Sequence, residues 1–465
     1  MMLCRSLLLI GLAIIGLVDR LPAQQAADSL SDKLAEVGQK HDVPGIVVAF
    51  VNGEGQLGSA CWGDRKRGTT DKIELSDRFA IGSCTKSMTA TLAAVLVEQG
   101  KLDWDTTIGE VWPKATDKHI HPQMRDVTLD ELLSHQSGLP SNVTGPAWAG
   151  FMRERKSPVL ERRRMVRMVL PKPPEHPQHK YAYANLGYVV AAAMLETRAG
   201  ESFESLMKQH LFEPLEMQTA DFRTLKQAEQ MKPPFVWGHR QGEPVDPRVR
   251  GAENPTAYAG CGTVHLNIED YAKYAQWHLA GKPQPVLQTQ EAFDHLHQPL
   301  VDHAGAGMKY ACGWICAPTA LGPGLNHGGS NTNSFALIWV VPDADFAAVV
   351  CTNSGEPQAF PACDQVMGYL MQQHEVDSGE VTPDRLVGRY QLNPNFIFDV
   401  QDQDGHLMVG ITNQPTQEVF ADSPTKWSYR SVEATLEFHL HAEGPAYALT
   451  LHQNGRAQQA ARLAD

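Results

Sequence analysis

Apolar spacing divides the chain into segments of different period. From Ser29 to His41 apolar residues recur at helical spacing. Gly45–Val51 is continuously apolar and β-branched, Asn52-Gly53-Glu54-Gly55 supplies turn chemistry, and Gln56–Trp62 follows, which predicts a β-hairpin. A matching hairpin is expected far downstream: Ser334–Val341, a turn at Pro342-Asp343-Ala344-Asp345, then Phe346–Thr352. Ala362–His374 returns to a helical period. Early and late strands are therefore expected in one antiparallel sheet with helices on its faces. The mostly helical stretch from about residue 83 to 300 would form a lobe inserted between the two halves of that sheet. After Asp377–Pro383, which reads as a linker, short alternating segments appear at Phe396–Val400, His406–Ile411, Ala434–His441 and Tyr447–His452. They are split by Asp404-Gly405, Gly444-Pro445 and Asn454-Gly455, as in a small all-β sandwich or barrel.

The first residues follow neither period. Arg5 is followed by an apolar and glycine run from Leu7 to Val18, and Leu21-Pro22-Ala23 offers a small residue for cleavage. A run of about 12 residues is short for a membrane span and reads as an export signal. The expected organisation is 1–23 signal, 24–376 main domain, 377–383 linker and 384–465 β domain. The expected location is secreted or periplasmic, with no transmembrane segment once the signal is removed.

At 465 residues the chain can build two or three domains. A formal charge of −13 argues against nucleic acid as a partner, because phosphate binding needs a basic face. The basic run Arg153–Arg167 reads as the solvated face of a helix. Of eight cysteines, Cys4 lies in the signal, which leaves an odd number. If Tyr310–Cys316 is one strand, Cys312 and Cys316 stand about 13 Å apart on one face. That is beyond the roughly 7 Å a disulfide spans. The pairs His119/His121, His295/His297 and His439/His441 lack partners at zinc spacing, so no metal is expected. No other cofactor is expected either.

Three short motifs carry the chemistry. Ser83-Cys84-Thr85-Lys86 follows Phe79-Ala80-Ile81-Gly82 and opens a helix read as amphipathic from Met88, Leu92 and Leu96, with Gly100 at its C-cap. Ser83 then lies near a helix N-terminus, where unpaired N–H groups favour developing negative charge. Lys86, three residues on, shares its face and can act as a base when buried. Tyr183-Ala184-Asn185 leaves the proline-rich loop Pro171–Pro177 and precedes a helix over Gly187–Leu195, ended by Gly200. Tyr183 could pass a proton, with Tyr181 as a competitor, and Asn185 could offer its amide to a substrate carbonyl. His327-Gly328-Gly329-Ser330 precedes the strand Ser334–Val341, and its glycines permit close approach of backbone to a ligand. An N–H from that strand and the N–H of Ser83 could form an oxyanion hole. The bland readings are a serine N-cap with a solvated lysine, a packed tyrosine, and a tight turn with a surface histidine. Ser-x-x-Lys recurs at Ser205–Lys208 and Ser423–Lys426, and His-x-Gly at His303–Gly305. Ser205 lies inside a polar helix with no turn before it, and Pro424 follows Ser423 in the all-β tail.

In order and context these motifs resemble the serine β-lactamase and penicillin-binding-protein superfamily, and within it the class C β-lactamase-like branch. Further stretches resemble it too: Val127–His135 with Ser137-Gly138-Leu139-Pro140, Leu211–Leu215, and Ala259-Gly260-Cys261-Gly262. The likeness covers about residues 30–375. It implies an α+β fold, an antiparallel sheet flanked by helices with a helical lobe. It also implies Ser83 as nucleophile, Lys86 and Tyr183 handling its proton, and the N–H groups of Ser83 and Ser330 holding the oxyanion. Asn185, His327, Gly329 and Ser330 would face a small-molecule or peptide substrate. The tail is similar to the lipocalin-like β domains attached to some members. The superfamily's Lys-Thr-Gly is here His-Gly-Gly, so a permanent cation becomes a group mostly neutral at pH 7. That leans toward esters, amides or peptides rather than efficient β-lactam turnover. Cys84 reads as a small buried residue. The alternatives are a penicillin-binding or sensor protein that acylates without turnover, and an envelope accessory protein that binds through its β tail.

Overall fold

The computed structural model describes residues 20–153, 156–222, 236–249, 251–303, 307–377, 383–403, 406–412, 414–421, 425–430, 432, 434–440, 444–453 and 455–463. Most of the expected signal and linker, the Asp404-Gly405 turn, Ser423-Pro424, His441 and Asn454 lie outside them.

The two hairpins meet as expected. Gly45–Asn52 pairs antiparallel with Phe346–Thr352, in a register that sets Ile46 opposite Thr352 and Val47 opposite Cys351. The sheet runs Gly55–Gly63, Gly45–Asn52, Phe346–Thr352, Phe335–Val341, Gly322–Ser330, Ile315–Thr319, Lys309–Tyr310, Val301–Asp302, each antiparallel to its neighbour. Because side chains alternate along a strand, Ile46 and Val48 join one core while Val47, Ala49 and Val51 join the other. The first core is covered by helices Arg20–Lys40 and Ala359–Asp377. The second faces the helical lobe. Burial on both faces is why Gly45–Val51 is apolar throughout rather than alternating.

Within the lobe, helix Thr85–Glu98 is buried from Thr85 to Leu96, all the way round rather than on one stripe. The expected amphipathic helix is therefore a central one. Gly100 takes φ +65 beyond its end, a conformation that costs glycine little. Helix Asn185–Ala199 is buried from Leu186 to Glu196 and ends at left-handed Gly200. Glu196 is buried against Arg162, which also reaches Glu204.

Two local expectations are corrected. Tyr310–Cys316 is no single strand: Lys309–Tyr310 and Ile315–Thr319 pair as a tight hairpin, turned at Gly313 with φ +78. Both cysteines are free, as are the other described ones. His327–Ser330 does precede the strand Phe335–Val341, but it is no turn: it is itself the end of strand Gly322–Ser330, whose glycines and proline hide it from propensity.

The tail closes into an eight-stranded barrel among the described residues, from Gly388–Asn393 to Arg456–Arg462, with Tyr390 opposite Arg462 across the seam. Phe398, Val400, Leu407, Leu436, Phe438 and Leu449 fill its interior. Among the described residues no helix is long and apolar enough to cross a membrane.

Candidate active site

A single turn of 3-10 helix, Gly82–Cys84, carries Ser83 into the N-terminus of helix Thr85–Glu98. Gly82 takes φ +49, and a side chain there would run into the backbone of Ser330. One helical turn on, the Lys86 side chain is fully buried. Its Nζ lies 3.0 Å from Ser83 Oγ, 2.7 Å from Asn185 Oδ1 and 3.0 Å from the Cys261 carbonyl oxygen. No carboxylate among the described residues pairs with it. The Tyr183 hydroxyl donates to Ser83 Oγ at 2.7 Å. Tyr181 instead lies against His303 and Tyr310, and burial raises its phenol. Of the two tyrosines, Tyr183 is the one bonded to the serine.

Asn185 opens the helix Asn185–Ala199, and its Nδ2 donates to Asn142 Oδ1 at 2.9 Å. That leaves Oδ1 for Lys86. The amide therefore holds the amine on one side and the loop at Asn142 on the other.

The glycine strand closes the opposite wall. A Cβ on Gly329 would lie 2.0 Å from the Ile81 carbonyl oxygen, 2.6 Å from Ser83 N and 2.7 Å from Cys84 N. Backbone of the strand thus touches backbone of the serine turn, which only glycine permits. From below, the Cys84 thiol donates to the His327 carbonyl at 3.2 Å. Burial pushes that thiol up to about 12, so it packs as a neutral group. Ser330 is exposed and its Oγ donates to the Ser334 carbonyl.

His327 differs from the expected substrate-facing group. It is 3 % exposed and both ring nitrogens are taken inside the protein. The Ala184 N–H donates to His135 Nδ1 (3.1 Å), so neutral His135 carries its proton on Nε2 and donates to the Tyr310 oxygen (3.2 Å). Tyr310 then donates to His327 Nε2 (3.1 Å), and His327 Nδ1–H donates to the Gly328 carbonyl (2.7 Å). This buried chain ties the Tyr183-Ala184-Asn185 segment to the glycine strand. Burial, and after it the Lys86 charge, pushes His327 down to about 3 and His135 well below the usual imidazole range. Both rings stay neutral in the folded protein.

Four groups here were not read from the sequence: Asn142, His135, Tyr310 and the Cys261 carbonyl. His135 and Cys261 sat in stretches noted for their likeness to the superfamily, without a role. Tyr310 and Asn142 had no signal, since only folding brings them to the site.

Among the described residues one group could hold a metal. Asp130, His295 and Cys312 bring ligand atoms within 4.8 Å of one another. His295 Nε2 already bonds Asp130 at 2.9 Å, and its ring stacks on Trp104. Burial, then Asp130, raises the Cys312 thiol well above its usual range, which opposes the thiolate a metal needs. None of the three bonds Ser83, Lys86 or Tyr183.

Residues 30–370 match the family model described as Beta-lactamase. Penicillin-binding protein 4 of Amycolatopsis lactamdurans is 26 % identical over 333 residues, covering 69 % of this chain and 84 % of that one. The unguisins hydrolase ungD of Aspergillus violaceofuscus is 28 % identical over 245 residues, covering 50 % of this chain but only 41 % of its own length. Among solved structures, the octameric penicillin-binding protein homologue from Pyrococcus abyssi superposes with a TM-score of 0.61 at 21 % identity, over 93 % of this chain and 99 % of that one. That likeness speaks for the fold.

Proposed function

Because the chain belongs to the beta-lactamase family, and from its site geometry, we propose that it is an exported serine hydrolase that cleaves esters or amides through an acyl-enzyme on Ser83. The observation that carries this is one hydroxyl, Ser83 Oγ, bonded at once to the Tyr183 hydroxyl at 2.7 Å and the buried Lys86 amine at 3.0 Å. Nζ of Lys86 is held by Asn185 Oδ1 and the Cys261 carbonyl beside Ser83 Oγ, and Tyr183 donates to the same oxygen.

With Lys86 as the base, the steps follow from that arrangement. Oγ attacks the substrate carbonyl carbon as its proton moves to Nζ of Lys86. The oxyanion forms against the serine turn and the glycine strand, where the Ser83 and Ser330 N–H groups would hold it. Collapse breaks the bond to the leaving group, which takes the Tyr183 proton. Lys86 returns its proton to Tyr183. Water, assisted by Tyr183, then attacks the acyl carbon as one of its protons passes to Nζ of Lys86; collapse breaks the ester bond to Oγ, which takes that proton back from Lys86 as the acid leaves.

The neutral, buried His327 in place of a cation supports substrates that do not depend on a carboxylate next to the scissile bond. The apolar run Leu7–Val18 supports export.

Mass spectrometry after exposure to a fluorophosphonate and to a p-nitrophenyl ester tests the reading. We expect an adduct on Ser83, fast decay of the acyl form, and loss of both adduct and turnover in Ser83→Ala with unchanged circular dichroism. A long-lived acyl adduct would instead identify a sensor-like protein. Undiminished turnover in Ser83→Ala would move the nucleophile elsewhere. N-terminal sequencing of the exported product tests the signal.

A further inference from the structure

The basic run Arg153–Arg167 does not behave as one solvated face. Helix Pro158–Val169 spends Arg162 on Glu196 and Glu204, and Arg164 on Glu161. Arg163 and Arg167, one turn apart and so on one face, go elsewhere. With Lys114 they rim a cleft of about 630 Å³ whose floor holds Trp112, Ile120 and Leu170. No acidic residue lines it, and no carboxylate among the described residues pairs with these three cations. Three unpaired cations over an apolar floor stand out in a chain of net charge −13.

Small-ligand sites are clefts of about 300–1,000 Å³, mostly apolar, with a few placed polar groups. This cleft has that size and that division. Two guanidinium forks at i, i+4 suit the planar, bidentate geometry of a carboxylate. The lining includes none of Ser83, Lys86, Tyr183 or Asn185, so the argument does not depend on the hydrolase reading. It does include Ala193 and Thr197, on the helix that Asn185 opens. We propose that this cleft is a binding site for a free amphipathic carboxylate of medium acyl-chain length. The chain would lie on Trp112, Ile120 and Leu170, and the headgroup would sit between Arg163 and Arg167.

Isothermal titration of the full chain with decanoate tests this, with acetate and decanol as separate probes of charge and chain. Saturable 1:1 binding of decanoate is expected, with acetate and decanol each about ten-fold weaker or more. Arg163→Glu/Arg167→Glu should weaken decanoate by at least about ten-fold. Thr197→Trp, an exposed change that covers the cleft, should block it without touching the cations. Absence of saturable heat overturns the site. So does decanoate binding unchanged in both variants, which would place the ligand elsewhere. Decanol binding as tightly as decanoate overturns the carboxylate assignment.

Discussion

Gly328 and Gly329 look alike in sequence, yet the structure separates them sharply. A methyl group on Gly329 would sit 2.0 Å from the Ile81 carbonyl oxygen and 2.6 Å from Ser83 N, both fixed backbone atoms. On Gly328 it would meet first the end of the Phe335 ring, at 3.1 Å. Neither glycine has a positive φ, so the difference is steric alone. Gly329→Ala must therefore part the strand from the serine turn by about 1 Å, and a misplacement of that size can cost about 10²-fold in rate. If the parting also withdraws an oxyanion donor, losses of about 10²–10³ in kcat are the measured range. Together these place the expected fall in kcat/KM near 10²–10³, about 3–4 kcal/mol of barrier. Gly328→Ala should stay close to the parent rate, because a ring can turn aside where a peptide cannot. The assay is p-nitrophenyl ester hydrolysis with the second-order rate of fluorophosphonate labelling beside it, after both variants are shown to fold by circular dichroism. Full activity in Gly329→Ala, or equal damage from both changes, would refute the backbone-contact argument.

Tyr183→Phe removes the donor to Ser83 Oγ and should lower turnover by about 10²–10⁴, whereas Tyr181→Phe, outside the cluster, should change it little; steady-state kinetics of the two decide between them. Tyr310→Phe strands His135 Nε2 and His327 Nε2, both buried, at about 1–3 kcal/mol for each group left unpaired, and should lower the melting temperature in calorimetry. Stability should also depend on pH through the buried imidazoles. His327 is pushed down to about 3 and His297 to about 4, in both cases by burial first, while the unfolded chain titrates near 6.5. Their folded forms are neutral, so their contribution is whole above about pH 6.5. It is lost as pH falls toward the folded values, by up to about 1.4 kcal/mol per pH unit for each ring. Melting curves between pH 4 and 8 check this, and a flat profile would contradict the assignment of neutral rings.

Much of this protein was already written in local pattern. The apolar run Gly45–Val51 with its turn, the hairpin ending at Thr352, and the glycines 100 and 200 after two helices all act through neighbours a few residues away. The serine, lysine and tyrosine of the cluster stand in motifs for the same reason, since a hydroxyl and an amine three residues apart share a helix face wherever that helix lies. The strand Gly322–Ser330 was missed because its glycines and proline suppress the β signal, and its partner across the sheet supplies what propensity does not. Only the folded chain decided that helix Thr85–Glu98 is buried on every side, that His327 turns inward to Tyr310, and that Asn142 and the Cys261 carbonyl complete the shell around Lys86. Those facts depend on contacts outside any local window, from 17 positions for His327 with Tyr310 to 175 for Lys86 with Cys261, set by how volumes pack and how buried polar groups find partners. Neither quantity is defined until the chain has closed on itself.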